Sequence, residues 1–298
     1  MGINSQDLDI LIRLREEGYI PNQASIIEIG AQQISNSFLS ASSQLDELAK
    51  LFGVTTPHRF PKPVAGNIVH GALEHLNAEA LAAREFWKWL GFHYASIDID
   101  GSPGSIPLDL NFDPTPKDSF GQYHLVTNFG TTEHVANQLN AFKVIHELTS
   151  LGGVMVHNLP AQGMMNHGLI NYNPKFFWML ARSNGYKWLY ADYTSANSYY
   201  ELPQNIIDNV IPFNPNITDR AKTYQVADGA VVVAMQKVFD SPFVPPLDVP
   251  TGLKTDNKML EERYWSVFKR DAFSPYVSIE PARPIRAFLK KVASKILP

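Results

Sequence analysis

The sequence contains no cysteine. That excludes disulfides, thiolate metal sites and a cysteine nucleophile, and it accords with a reducing compartment. It also lacks an excess of positive charge: 25 Lys+Arg stand against 29 Asp+Glu, a formal net charge of −4. A general nucleic-acid binder needs a basic face, so nucleic acid is set aside as a partner. Long apolar runs are missing as well. A run such as AVVVAM at 230–235 is far too short to span a bilayer. The opening MGINSQDLDILIRLREEGY has no basic start leading into an apolar stretch, so it is not read as a signal peptide. The expectation is a soluble, cytoplasmic protein. The last scarcity is local. In IIEIGAQQIS (26–35) an apolar run meets Glu28 and then Gly30, where a nucleotide-binding turn carries several glycines; Ala31, Gln32 and Gln33 follow instead.

Much else is present. At 298 residues and 45% hydrophobic, the chain can build one large domain with a sizeable core. Apolar residues at helical spacing predict helices over 6–18, 45–53, 77–92 (with Asn77 as N-cap) and 132–148, where Val135, Leu139, Phe142 and Ile145 share a face. A helix over 173–186 has Pro174 in its first turn and Gly185 at its end. Strands are expected at 25–30, 94–100, 123–130, 151–160, 187–193 and 229–238. Strands alternating with helices imply βαβ units and a mainly parallel sheet. Residues 194–228 show no helical period, and such a connection can return the final strand antiparallel. After 240 the composition turns Pro-rich (SPFVPPLDVPTG), which reads as a linker to two helical candidates at 256–270 and 284–296.

In an open α/β sheet, ligands sit beyond the carboxyl ends of the strands, where the strand order reverses. Glu28 and Gly30 belong at that point. A dinucleotide needs the full G-x-G-x-x-G, because backbone amides must approach a pyrophosphate closely. One glycine disfavours a nicotinamide-dependent oxidoreductase. S-adenosylmethionine has no phosphate; it needs close backbone approach, an acid near its ammonium or ribose, and an apolar slot for adenine. A non-catalytic binding module with an eroded loop is a further alternative.

SIIEIGA, YASIDIDG, PLDLN, HLVTNFGTTEHV and HELTSLGGVMVHNLP occur in the order that resembles class I S-adenosylmethionine-dependent methyltransferases, over about residues 20–238. The resemblance implies an α/β, Rossmann-like, mainly parallel seven-stranded sheet with helices on both faces and the last strand antiparallel. It implies S-adenosylmethionine as cofactor and methyl transfer as the activity. Matched residue by residue, Glu28 and Gly30 stand at the first motif. Asp98 stands at the ribose-binding acid, with Asp100 as the alternative on the same face. Asp109 stands at the adenine-side acid, and Asn128, Phe129 and Gly130 end the fourth strand. Two departures stand out. The loop lacks its further glycines, and 70 residues separate Glu28 from Asp98, against about twenty in a plain βαβ unit. Residues 45–76 are therefore expected to be an insertion that acts as a lid within a methyltransferase domain spanning 1–240. Residues 241–298 are expected to form the linker and helical extension.

An oxygen nucleophile accepting a methyl group benefits from a base of pKa near 7, which suits histidine. His157, His167, His134 and Glu133 all fall near the expected carboxyl edge of the sheet, with His157 and His167 favoured as bases. Glu133 also fits a structural place in a first helical turn. No H-x-x-x-H or comparable spacing occurs, so no metal site is expected. The polar loop 162–173 points to a small or medium hydroxyl-rich acceptor such as a sugar. The tail PIRAFLKKVASKILP is a basic amphipathic helix in pattern; such helices rest on anionic membranes or, as expected here, dock on protein.

Overall fold

The structure, a computed structural model, describes residues 2–58, 60, 83–99, 104–164, 167–201, 225–249 and 255–265. Seven strands form one sheet: β1 (Ser25–Ile29), β2 (His93–Asp98), β3 (Ser105–Pro107), β4 (Tyr123–Phe129), β5 (Thr149–Gln162), β6 (Lys187–Glu201) and β7 (Gln225–Gln236). Their order is β3-β2-β1-β4-β5-β7-β6. β1 pairs parallel with β2 and β4, β2 with β3, and β4 with β5. β7 runs antiparallel between β5 and β6. The mainly parallel sheet with a reversed last strand is as the sequence predicts.

Alternate residues of the central strands feed two separate cores. Ile26 packs with Leu8, Leu11, Phe38, Phe86 and Trp87 on one face. Ile27 and Ile29 pack with Phe142, Ile145, Phe177 and Leu180 on the other. Burial on both faces is why β1 reads as an almost unbroken apolar run. The first face is covered by α1 (Ser5–Glu16), α2 (Asn36–Leu39), α3 (Ser42–Phe52) and α4 (83–89). The second is covered by α5 (Gln138–Leu148) and α6 (Pro174–Asn184). α6 is punctuated as its sequence suggests: Asn173 caps Lys175 N, Pro174 opens it and Gly185 closes it at φ 63. A short helix, α7 (Lys258–Arg263), the last among the described residues, contains no buried residue. Among the described residues, no helix is long and apolar enough to cross a membrane.

The predicted helix 132–148 is two pieces. Thr132–His134 form a 3-10 turn, and α5 starts only at Gln138, with Asn137 accepting from Asn140 N. The break changes the phase of the apolar face. Phe142 and Ile145 are in the core, but Leu139 is 54% exposed. Phe142→Ala should therefore cost about 3–5 kcal/mol by cavity formation, whereas Leu139→Ala should stay within about 0.5 kcal/mol of wild type. Urea unfolding of both variants checks this; equal losses would contradict the placement.

β6 and β7 are longer than their apolar patterns, and their ladder continues to the Glu201–Gln225 pair. Backbone pairing needs no apolar alternation, so hydropathy alone understates them. The Pro-rich stretch 241–249, predicted to be a linker, is instead strapped to α6. Asn184 brackets Val244 with hydrogen bonds to its N–H and carbonyl, and Arg182 donates to the carbonyls of Leu247 and Val249. Of the predicted insertion 45–76, α3 is described. Residues 61–76 lie outside the described residues, as do the Asn77 cap, Asp100 and the tail helix 284–296.

α1 is tied to the carboxyl half of β5 by a buried contact: Asn158 Nδ2 donates to Asp7 Oδ1 at 2.8 Å. Burial pushes the Asp7 carboxyl up to about 7. The native state therefore holds a proton that the unfolded chain, near pKa 4, releases. Stability from this group is full below pH ~4 and is lost as pH rises through about 7. Asp7→Asn removes that dependence while its amide oxygen keeps one acceptor, for either Asn158 Nδ2 or Asn4 N, which Asp7 serves with separate oxygens. Relative to wild type, the variant should be more stable at pH 8 than at pH 4 by on the order of 2 kcal/mol or more. Urea melts at both pH values measure it, and an equal difference at the two would refute the assignment.

Candidate functional site

A cavity of about 380 Å³ opens at the carboxyl ends of β1, β2 and β4, where the strand order reverses. Its floor is the loop Gly30–Gln33 after β1. One wall is Ile97, Asp98 and Ile99 at the end of β2; another is Leu108–Asn111 after β3. Gly130, Thr131, His134 and Val135, after β4, close the far side.

The loop manages with one glycine because side chains hold it. Gly30 has φ +76, and its N–H donates to Ile97 O at 2.9 Å. A Cβ there would run into Thr131 Oγ1 and lie 2.9 Å from its Cγ2, so only glycine fits between the two loops. Beyond it, Glu28 Oε2 accepts from Gln32 N at 3.0 Å. The Gln32 side chain folds under the turn and donates to the carbonyls of Ile29 (2.9 Å) and Gly30 (2.8 Å). Gln32 and Thr131 were not legible as site residues; the only trace in sequence is an acid followed four positions later by an amide.

Asp98 and Asp109, the two acids singled out in the sequence, both line the cavity. Asp98 Oδ2 accepts from Ala31 N at 2.8 Å, so the β2 carboxylate is fixed against the glycine loop. Asp109 heads a tight turn: its Oδ1 accepts from Asn111 N, and Asp113 Oδ2 accepts from Asp109 N, each at 2.8 Å. Gly30, Gly130 and His134 also fall where they are expected.

Six predicted site residues do not line this cavity: Glu28, Phe129, Asn128, His157, Glu133 and His167. Glu28 is buried beneath the loop, taking hydrogen bonds from Trp87 Nε1 (2.6 Å) and Tyr94 OH (2.8 Å) as well as Gln32. Burial pushes its carboxyl up to about 7 against the pull of those donors. It supports the loop from behind. Phe129 belongs to the first core. Asn128 is buried too, donating to Thr132 Oγ1 at 2.8 Å. His157, a favoured base, is 1% exposed, packed on the rings of Phe142 and Phe177. Burial drives its imidazole down to about 3. Its Nδ1 is 3.2 Å from Asn128 Nδ2 and acts as the acceptor. Position and basicity both remove it from an acceptor's reach.

Glu133 and His167 come together with His134. Glu133 is 0% exposed, with Oε1 3.5 Å from His167 Nε2 and 3.8 Å from His134 Nε2. The two imidazoles are 5.2 Å apart between ring centroids. His134 is 48% and His167 34% exposed, so the pair fronts a buried carboxylate. Burial raises the Glu133 carboxyl to about 7 and lowers the His134 imidazole. Thr132 next door joins a network with Tyr172 and Gln138. The Tyr172 hydroxyl lies 2.8 Å from Thr132 Oγ1 and 2.5 Å from Gln138 Oε1. The amide oxygen can only accept, so Tyr172 donates there and takes the Thr132 proton.

Solved structures resemble the chain over most of its length. One is a Bacillus halodurans protein assigned as a methyltransferase: 8% identity, TM-score 0.45, covering 78% of this chain and 100% of that one. Another is a SAM-dependent methyltransferase from Archaeoglobus fulgidus: 10%, TM-score 0.37, 77% and 94%. A third is 1,6-didemethyltoxoflavin-N1-methyltransferase from Burkholderia thailandensis, solved with 1,6-didemethyltoxoflavin and S-adenosylhomocysteine: 8%, TM-score 0.35, 79% and 78%. No protein-family model matches the chain, and no curated protein matches it. The seven mainly parallel strands and the reversed seventh strand are those that the sequence resemblance implies. The chain has a Rossmann-like α/β fold, a seven-stranded, mainly parallel sheet with its last strand antiparallel. At these scores the solved structures assign it no activity. Within that fold, the cavity beside Gly30 is at the ligand-binding edge of the sheet.

Proposed function

We propose that the protein is a methyltransferase that binds S-adenosylmethionine in the cavity beside Gly30 and methylates a small or medium polar acceptor. The observation that carries this reading is the charge of the walls. Asp98 and Asp109 line the cavity, and no Lys or Arg does among the described residues. Such walls repel a pyrophosphate and attract a ligand bearing sulfonium and ammonium charges. The same walls supply an apolar slot for adenine from Ile97, Leu108, Leu110 and Val135. On this reading Asp98 holds the ribose hydroxyls, Asp109 lies on the adenine side, and Gly30 and Gly130 allow the backbone to approach the methionyl end.

Bound S-adenosylmethionine supplies a methyl group whose bond to sulfur breaks as its bond to the acceptor forms, leaving a neutral thioether. The residues of this chain position the partners and handle the proton. Glu133, His134 and His167 stand beside the far wall, where the acceptor approaches, and the proton of an acceptor hydroxyl passes to that cluster. The exposed Asn171 and Asn173 of the loop that follows β5 fit a hydroxyl-rich acceptor such as a sugar. Thermal-shift measurement of the full chain tests the reading, because a ligand of the native state raises its apparent stability. S-adenosylmethionine and S-adenosylhomocysteine should raise the melting temperature, and NAD and ATP should not. A shift with NAD alone would replace the reading with a dehydrogenase.

A further inference from the structure

Glu133 is completely buried, and neither carboxylate oxygen accepts a hydrogen bond among the described residues. A carboxylate taken out of water is costly unless a charge or donors compensate it. What the structure sets against it are two imidazole nitrogens, at 3.5 and 3.8 Å, from residues partly open to the surface. One resolution is a protonated acid, which burial favours. The other is a cation.

We propose that Glu133, His134 and His167 bind one divalent first-row transition-metal ion of the zinc type, with a fourth position open toward the cleft. One ligand atom from each residue lies within 4.8 Å of the others. Zinc held by bonds of 2.0–2.1 Å at tetrahedral angles separates its ligand atoms by about 3.4 Å, so the two carboxylate–imidazole distances need to close by only a few tenths of an ångström. Two imidazoles and one carboxylate suit zinc-like ions better than magnesium or calcium, which prefer all-oxygen shells. Three protein ligands with one vacant position is the form of a site that receives a substrate atom.

The scaffold is built for the contact. His167 is 34 positions beyond Glu133 in the chain. The loop that carries it is pinned to Glu133 itself: the N–H groups of Leu169 and Ile170 donate to Glu133 O at 2.8 and 3.1 Å. Gly168 makes this possible, since a Cβ there would lie 2.8 Å from Glu133 Cγ. His134 also lines the cavity, so the ion borders the space given to the ligands. An oxygen of the acceptor in the open position would be held in place and, with the imidazoles occupied as ligands, would release its proton more readily to solvent water, which reaches the partly exposed histidines. That role rests on the methyl-transfer reading; the binding of the ion does not.

Calorimetric titration of the chelator-treated full chain with Zn²⁺, and separately with Mg²⁺, tests the proposal. One Zn²⁺ per chain should bind, with Mg²⁺ much weaker. Glu133→Gln and His167→Ala should each weaken Zn²⁺ by about 100-fold or more, as loss of a ligand exceeds the effect of loss of an outer-shell partner. His134→Ala, at a half-exposed position, should do the same with no disturbance of the core, and His93→Ala, an exposed histidine outside the cluster, should change nothing. Cobalt in the site should give the visible absorption of a tetrahedral centre, lost in Glu133→Gln. No saturable Zn²⁺ binding by the wild type, or undiminished binding in Glu133→Gln and His134→Ala, overturns the proposal. S-adenosylhomocysteine titrated into the same samples keeps the two readings apart: zinc binding without it sinks methyl transfer alone, and the reverse sinks the metal site alone.

Discussion

Glu133→Gln should lower methyl transfer to the acceptor by about 10²–10⁴-fold, the usual worth of the proton-handling group, while S-adenosylhomocysteine affinity stays within about threefold of wild type. Glu133 does not line the cavity proposed for the cofactor. Among the described residues, it is the one carboxylate within 4 Å of both His134 and His167. Whether a bound ion makes the acceptor's hydroxyl more acidic or an imidazole takes its proton, the negative charge behind it is what the substitution removes. Glutamine keeps the side-chain shape, and the backbone carbonyl that pins the 169–170 amides is untouched. Single-turnover rates with an identified acceptor, alongside calorimetry, measure both quantities. Wild-type turnover in this variant would move the chemistry elsewhere in the cleft. His157→Leu provides the contrast. That histidine is core, so its loss should appear in unfolding and not in the rate of the chemical step.

Asp98→Ala should weaken S-adenosylhomocysteine binding by about tenfold or more. A hydrogen bond to a charged group contributes about 1.5–3 kcal/mol, and 1.36 kcal/mol corresponds to one factor of ten. Asp98 also accepts from Ala31 N, so its removal could act by loosening the loop. Asp98→Asn separates the two effects, because the amide oxygen can still serve Ala31 N. Weak binding in both variants assigns the loss to the ribose contact, whereas recovery in Asp98→Asn assigns it to the loop. Calorimetry showing wild-type affinity in both would take Asp98 out of the site.

The parts of the site that were legible in the sequence are those encoded locally. Gly30, Asp98, Asp109 and Gly130 follow strand patterns directly, and the strands place them at one edge. Side-chain parity was also there to be used. Glu28 shares its face of β1 with Ile26, in the first core, and so lies under α4 with Trp87. His157 shares its face of β5 with Met155 and Leu159, in the second core. A strand end suggests a cleft, yet parity puts both side chains among apolar neighbours. Other features had no local signal. Asp7 and Asn158 are 151 positions apart, and nothing near either one announces the contact. The approach of His167 to Glu133 depends on how the loop after β5 settles, which no spacing motif encodes. For the same reason a search for metal-ligand periodicity passes over the cluster.

Hydrogen exchange of the full chain with and without saturating S-adenosylhomocysteine tests the central claim most directly, because it reports where a ligand sits as well as whether it binds. The account predicts slower exchange concentrated in the amides of Gly30–Gln33, Ile97–Ile99 and Leu108–Asn111, the segments that enclose the cavity. Unchanged exchange in all three, or protection confined to other segments, would contradict it.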